Sequence, residues 1–168
     1  YRGVVGIGTV TDAYQPSEKK YELTRRCLDV LLKRDFPISI QTKSSLVLRD
    51  SDLIRRFSNR DVGVTITTLN EEYAKLFEPH ASSPYERLEA ISEVASENID
   101  AWVFIGPILP GITDQDLESL MESIAATGVK KVVTEVLPWA FEKIMKDLPP
   151  EDIDTIQEKI ESAQKFNH

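Results

Sequence analysis

The stretch Pro37-Ile38-Ser39-Ile40-Gln41-Thr42-Lys43 decides the fold. It is a short run of β-branched apolar residues that stops on a polar pair, the signature of a buried strand with a functional end. Four further runs of strand character stop the same way. They lead into Thr9-Val10-Thr11-Asp12, Thr67-Thr68-Leu69-Asn70, Gly106-Pro107 and Glu135. Segments of helical periodicity separate them, so the order is βα repeated five times. Alternating strands and helices give a parallel sheet with right-handed crossovers. The carboxyl ends of such strands open onto one face, where ligands sit. The scattered polar tips are therefore expected to converge.

Working outward from that run, Val4-Val5-Gly6-Ile7-Gly8 is the preceding strand. A helix is expected over 17–33, with Tyr21, Thr24, Cys27, Leu28, Leu31 and Leu32 on one buried stripe. Cys27 then reads as a small apolar core residue rather than a reactive thiol. Asp50-Ser51-Asp52 opens a short helix carrying Leu53, Ile54 and Phe57. The third strand is 62–67, and Glu71–Phe77 is helical until Glu78-Pro79 ends it, because a residue before proline avoids the α region. Ser83-Pro84-Tyr85-Glu86 starts the next helix with a serine cap, a proline in the first turn and a glutamate three residues on. The fourth strand, 101–105, is apolar throughout and expected to be buried on both faces. A helix begins near Thr113, buries Leu117, Leu120, Met121 and Ile124, and stops at Gly128. Residues 132–136 form the fifth strand. Phe141, Ile144 and Met145 belong to a following helix, Pro149-Pro150 punctuates, and Ile153, Ile156, Ile160 and Ala163 make the last helix amphipathic. The chain thus divides into a core over 1–148 and a C-terminal helix over 149–168.

Composition sets outer bounds. The chain has 168 residues, enough for one domain with a substantial core. No apolar stretch could span a bilayer and nothing resembles a signal peptide, so no membrane partner is expected. One cysteine excludes an internal disulfide framework and fits a reducing, cytoplasmic setting. The formal net charge of −8 argues against broad, sequence-blind binding to nucleic acid. Arg25-Arg26 and Arg55-Arg56 accordingly read as solvated helix faces. His80 and His168 have no zinc-ligand spacing around them, and Gly6-Ile7-Gly8 lacks the third glycine of a dinucleotide fingerprint. Trp102 and Trp139 read as packing residues.

The residues alone leave three readings open. Lys43 could be a Schiff-base lysine of a lyase or aldolase-type barrel, or a cation that neutralises a ligand carboxylate or phosphate. The chain could also be a non-catalytic interaction module. Asp12 and Glu135 could meet at the open face, either for acid–base work or as structural partners of Lys43.

The strand ends, taken in order, carry a resemblance. Gly8-Thr9-Val10-Thr11-Asp12-Ala13-Tyr14-Gln15-Pro16 is followed by Glu18-Lys19-Lys20 and by Leu23-Thr24-Arg25-Arg26-Cys27-Leu28. Then come Thr42-Lys43-Ser44, Thr65-Ile66-Thr67-Thr68, Phe77-Glu78-Pro79, Ser83-Pro84 with Arg87-Leu88-Glu89-Ala90, and Gly106-Pro107-Ile108-Leu109-Pro110-Gly111. This ordered set, over roughly 3–137, resembles the radical S-adenosylmethionine proteins, in the branch related to spore photoproduct lyase.

The resemblance implies an α/β fold, a partial TIM-like (βα) barrel of about five parallel strands with its first βα unit missing. It implies an enzyme that cleaves S-adenosylmethionine reductively at a [4Fe-4S] cluster held by a CxxxCxxC loop. That loop is not in this sequence, where Cys27 stands alone, and Tyr1 precedes a strand almost at once. The polypeptide is therefore expected to begin partway through a larger protein, to be inactive by itself, and to carry neither iron nor bound S-adenosylmethionine as isolated. By the resemblance, Thr11 and Lys43 match contacts to the methionine part of the cofactor, with a hydroxyl of Thr65 or Thr67 serving the same end. Arg87 matches as a second cation or pairs with Glu78. Gly106 and Pro107 match a strand lying against the adenine, or simply end a buried strand. Thr9 falls where photoproduct lyases carry a hydrogen-donating cysteine, and a hydroxyl cannot readily replace a thiol there. The substrate is left unassigned, with nucleic acid one candidate. A barrel short of a strand also exposes an edge, which favours self-association.

Overall fold

The computed structural model describes residues 3–109 and 111–135, together with Ile153 and Ile156. Five strands form one parallel sheet: β1 (Val5–Ile7), β2 (Ile38–Thr42), β3 (Arg60–Thr65), β4 (Asp100–Ile105) and β5 (Lys131–Thr134). Their spatial order is their sequence order. A sheet that adds each strand beside the last by right-handed crossovers keeps its helices on one side. The helices are α1 (Glu18–Tyr21), α2 (Leu23–Leu32), α3 (Ser51–Ile54), α4 (Glu71–Phe77), α5 (Pro84–Ser96) and α6 (Leu117–Ala126), with a 3-10 turn over Ser45–Asp50.

The register shows why the two sheet faces differ. Ile38, Ile40, Val62, Val64, Val103 and Ile105 share the covered face and are essentially inaccessible, packed with Leu28, Ile91, Val94, Leu120 and Ile124 from the helices. Burial of this apolar layer is the main force holding the sheet to its helices. The opposite face carries Ser39, Gln41, Asp61, Thr65, Trp102 and Phe104. On that face Asp61 Oδ1 accepts from Ser39 Oγ at 2.6 Å and from the Trp102 indole at 2.7 Å, while Lys131 Nζ lies 5.7 Å from the Trp102 ring centre. Trp102 and Phe104 are only half-buried. The fourth strand is thus not buried on both faces as its apolar run suggests, because its second face looks into the open side of the sheet.

Other expectations need correction. The first helix is broken, because Glu22 takes a left-handed φ of 48° between α1 and α2. The buried Glu18 carboxylate bridges the break by accepting from Leu23 N at 3.0 Å and Thr24 N at 2.8 Å, which caps α2. The restart turns α2 so that Thr24 and Leu28 face the core, whereas Tyr21 and Cys27 are exposed. Arg25 is not merely solvated: it holds Asp52 through both guanidinium nitrogens at 2.8 Å and reaches Asp50 at 3.0 Å. This fork keeps the Asp52 carboxyl down at about 2. Arg49 closes the network by donating to Glu18 and Asp50. Residues 111–116 are turns, so α6 starts only at Leu117, and Met121 is exposed.

The capping box at Ser83 and Glu86 forms as its spacing requires, and Gly128 follows α6 with φ +83°. β1 and β5 each lack a second strand neighbour among the described residues. Trp139, Phe141, Ile144, Met145, Pro149-Pro150, Ile160, Ala163 and His168 lie outside the described residues. No helix among the described residues is long and apolar enough to cross a membrane.

Candidate functional site

The strand ends open at one edge of the sheet, because the register pairs Ile7 with Ile40, Thr42 with Val64, Thr65 with Phe104 and Ile105 with Thr134. At this edge Asp12 ties β1 to β2. Its Oδ1 accepts from Thr42 Oγ1 at 2.7 Å and from Tyr14 N at 2.8 Å, and its Oδ2 accepts from Lys43 N at 2.6 Å. The chain can turn there because Gly8, at φ +92°, lies against the Gln41 carbonyl with no room for a Cβ. Asp12 therefore fixes the Lys43 backbone, not its ammonium. Glu135 is exposed and bonds through its backbone to Ile105 and Ile108, so neither acid has the direct pairing with the lysine head considered from sequence.

The partner of Lys43 is Glu78. Lys43 Nζ lies 2.9 Å from Glu78 Oε1, and Arg87 NH1 donates to Glu78 Oε2 at 2.7 Å. Arg87 is 1% exposed, and it also donates to Thr65 O at 2.9 Å and Ser82 O at 2.8 Å. Ser82 N in turn donates to Lys43 O. One hydrogen-bonded network thus joins Lys43, Glu78, Arg87 and Thr65 across the ends of β2 and β3. Arg87 has adopted the structural pairing, with its guanidinium directed at Glu78 and two carbonyls. The Thr65 hydroxyl accepts from Gln41 Nε2 at 3.2 Å on the open face.

The remaining candidates sit around this network. Thr9 and Thr11 are exposed in the turn after β1, Thr67 is buried just past β3, and Gly106 is buried at the end of β4 with Pro107 half-buried after a cis peptide bond. A Cβ on Gly106 would overlap the Phe104 ring and crowd Glu135 Cβ. Sequence reasoning offered Glu78 only as a helix stop and as a partner of Arg87, and missed that it also holds Lys43. The signal was a carboxylate placed between two cations that are distant in sequence.

A cavity of about 220 Å³ opens beside the network, lined among others by Asp12, Tyr14, Lys43, Phe77, Glu78 and His80. It adjoins a hollow of about 460 Å³ that shares Tyr14, Ser44 and His80. Tyr14 is 1% exposed, and burial, then the nearby Asp50 carboxylate, push its phenol above the usual range. The Lys43 side chain is 41% exposed. It is the cation that the network leaves facing this cavity. A third cavity of about 390 Å³ lies at the opposite end of the strands, near Asp61, Asp100 and Lys131. Among the described residues no three His, Cys, Asp or Glu side chains group as metal ligands, and the exposed Cys27 is alone. Those residues therefore do not fit an iron–sulfur cluster.

A sequentially ordered parallel sheet, helices on one face and a cavity at the strand ends together define an α/β half-barrel. The radical SAM superfamily model matches residues 1–124, and the chain belongs to that superfamily. It is 40% identical over 113 residues to an uncharacterised protein of Methanocaldococcus jannaschii, covering 67% of this chain and 43% of that protein. It is 26% identical over 153 residues to a radical SAM Nalpha-GlyT isomerase of Pseudomonas phage M6, covering 86% of this chain and 32% of that one. The fold matches a spore photoproduct lyase mutant with bound AdoMet and dinucleoside spore photoproduct at a TM-score of 0.65 and 14% identity, over 96% of this chain and 57% of that structure. The α/β partial barrel is therefore shown. The chain spans less than half the length of these curated relatives.

Proposed function

We propose that this chain forms the cofactor-holding face of a radical S-adenosylmethionine enzyme, with Lys43 receiving the carboxylate of the methionyl group. The observation that carries this reading is the half-exposed Lys43 ammonium, whose backbone is fixed by Asp12 and whose head is fixed by Glu78, at the edge of a cavity. A charge-assisted bond to a carboxylate is strong in such a partly desolvated place. In this reading Thr9, Thr11, Thr65 and Thr67, which follow the same strand ends, line the cofactor, and Gly106 and Pro107 meet its adenine through the backbone. Arg87 serves from behind, holding Glu78. The cofactor, when bound, supplies the radical chemistry; the residues described here bind and orient it.

Titration calorimetry with S-adenosylmethionine tests this. Lys43→Met removes a charged hydrogen bond, and a loss of about 1.5–3 kcal/mol would weaken binding roughly 10- to 100-fold. Equal affinity in the variant and the parent chain would refute the assignment.

The Schiff-base reading is disfavoured, because the half-exposed Lys43 head is held by Glu78 at 2.9 Å rather than desolvated in an apolar pocket like an activated amine. For the substrate, a nucleoside-containing molecule is the second reading. It is favoured by the half-exposed Phe104 ring on the open face beside Gly106, which offers a stacking surface. The net charge of −8 favours a small substrate over a duplex. We also propose a reducing compartment and packing of the C-terminal segment on the core. Helical Ile156 is buried against Leu109 and Ile112, beside Tyr73, Leu76 and Phe77, which supports the latter.

A further inference from the structure

We infer that Glu78 is the positioning residue of the carboxylate site: it holds the Lys43 ammonium at the cavity and cancels the buried charge of Arg87 behind it. The inference rests on the reading of Lys43 as the carboxylate-binding cation. Glu78 is placed for this by its own sequence. It ends α4 immediately before Pro79, which keeps it out of the helical conformation at φ −135°, ψ 57°. Its side chain is 8% exposed, and its two oxygens face different cations.

Lys43, Glu78 and Arg87 together carry one positive charge, and the Asp12 carboxylate that balances it is turned to the Thr42 hydroxyl and the Tyr14 and Lys43 backbone N–H groups. Arg87 is essentially inaccessible and directs its bonds to Glu78, Thr65 O and Ser82 O, so Lys43 is the cation of this network that reaches the cavity. An ammonium carries three donors. One goes to Glu78, which leaves two for a ligand.

Loss of Glu78 would act twice on Lys43. The long side chain would recover its rotamer freedom, and a ligand would have to order it again on binding. The uncompensated Arg87 would also repel the ammonium from the cavity edge. Both effects move the positive charge away from a ligand carboxylate, and neither touches recognition of the rest of the ligand. The same cavity is lined by Phe77, the residue before Glu78, and Phe77 packs against the Leu109, Ile112 and Ile156 cluster. The helix end that carries Glu78 is thereby seated on its far side.

The test compares S-adenosylmethionine with its decarboxylated form, each titrated calorimetrically into the chain. The wild-type chain is expected to prefer the carboxylated ligand, and Glu78→Gln to lower that preference about fivefold or more. A purely structural role would weaken both ligands alike and leave the ratio unmoved. A ratio unchanged or raised in Glu78→Gln overturns the inference. If that variant fails to fold, Glu78→Asp decides: one methylene shorter, its carboxylate keeps the charge but cannot span both cations as Glu78 does, so the same loss of preference is expected, and a wild-type ratio overturns the inference. A wild-type chain that binds both ligands equally removes the Lys43 reading and this inference together. A preference abolished by Lys43→Met yet kept in the Glu78 variants overturns the inference alone.

Discussion

Gly8→Ala is expected to destabilise the chain by about 2–4 kcal/mol, seen as a lower urea midpoint with an unchanged slope. Two costs add at this position. The backbone stands at φ +92°, where a side chain is strained, and the new methyl would fall on the Gln41 carbonyl oxygen. That oxygen is backbone of β2, so it cannot swing aside like a side chain. Either β1 moves away from β2, losing the pairing of Gly6 with Ser39 and Ile7 with Ile40, or the turn carrying Asp12 is displaced. Gly128→Ala is the internal control. Its φ of +83° is similar, yet nothing lies within 4 Å of the added carbon, so only the conformational cost of about 1 kcal/mol remains. Equal losses in the two variants would show that β1 does not sit against β2 as described.

The second large effect is expected at Arg87. Arg87→Met keeps the aliphatic packing but leaves the Thr65 and Ser82 carbonyls and one Glu78 oxygen without their donor. Removing one partner of a buried ion pair costs about 3–5 kcal/mol, because the other charge stays buried. The remaining pair with Lys43 relieves part of this, which places the expected loss near the lower figure. Arg87→Lys should recover little, since a single ammonium cannot reach three acceptors with the geometry of a planar fork. A loss under about 1 kcal/mol for Arg87→Met in chemical denaturation would mean that the guanidinium does not join β3 to the loop after α4.

Much of the fold was legible because its signals are local. Each strand run and its polar or Gly-Pro ending lies within a few residues, and the Ser83–Glu86 capping box is complete in four. The alternation of the runs with helical periodicity then requires a parallel sheet. Boundaries moved where tertiary contacts override local pattern. Glu22 breaks the first helix and Glu18 recaps it from five residues away, which turned Cys27 outward. The open face of β4 was hidden because an apolar strand sequence does not reveal that Trp102 and Phe104 look toward an uncovered side.

The candidate site divides in the same way. Lys43 was legible as the last residue of a strand run, and its neighbourhood with Thr65 follows from strand order. Its fixing by Asp12 across 31 positions, and by Glu78 across a helix, depends on side-chain geometry that no spacing encodes. Arg87 illustrates the limit best. Its place in the ordered motif set drew attention to it, but only burial at 1% exposure distinguishes a guanidinium that braces a carboxylate from one that meets a ligand.

The central claim is that strand ends far apart in sequence form one binding edge for S-adenosylmethionine. Backbone amide chemical-shift mapping during titration with that ligand tests it most directly. The account predicts that Gly8, Thr11, Lys43, Thr65 and Gly106 shift together with one saturation curve. Perturbations confined to the far end of the strands, around Asp61, Asp100 and Lys131, would contradict it.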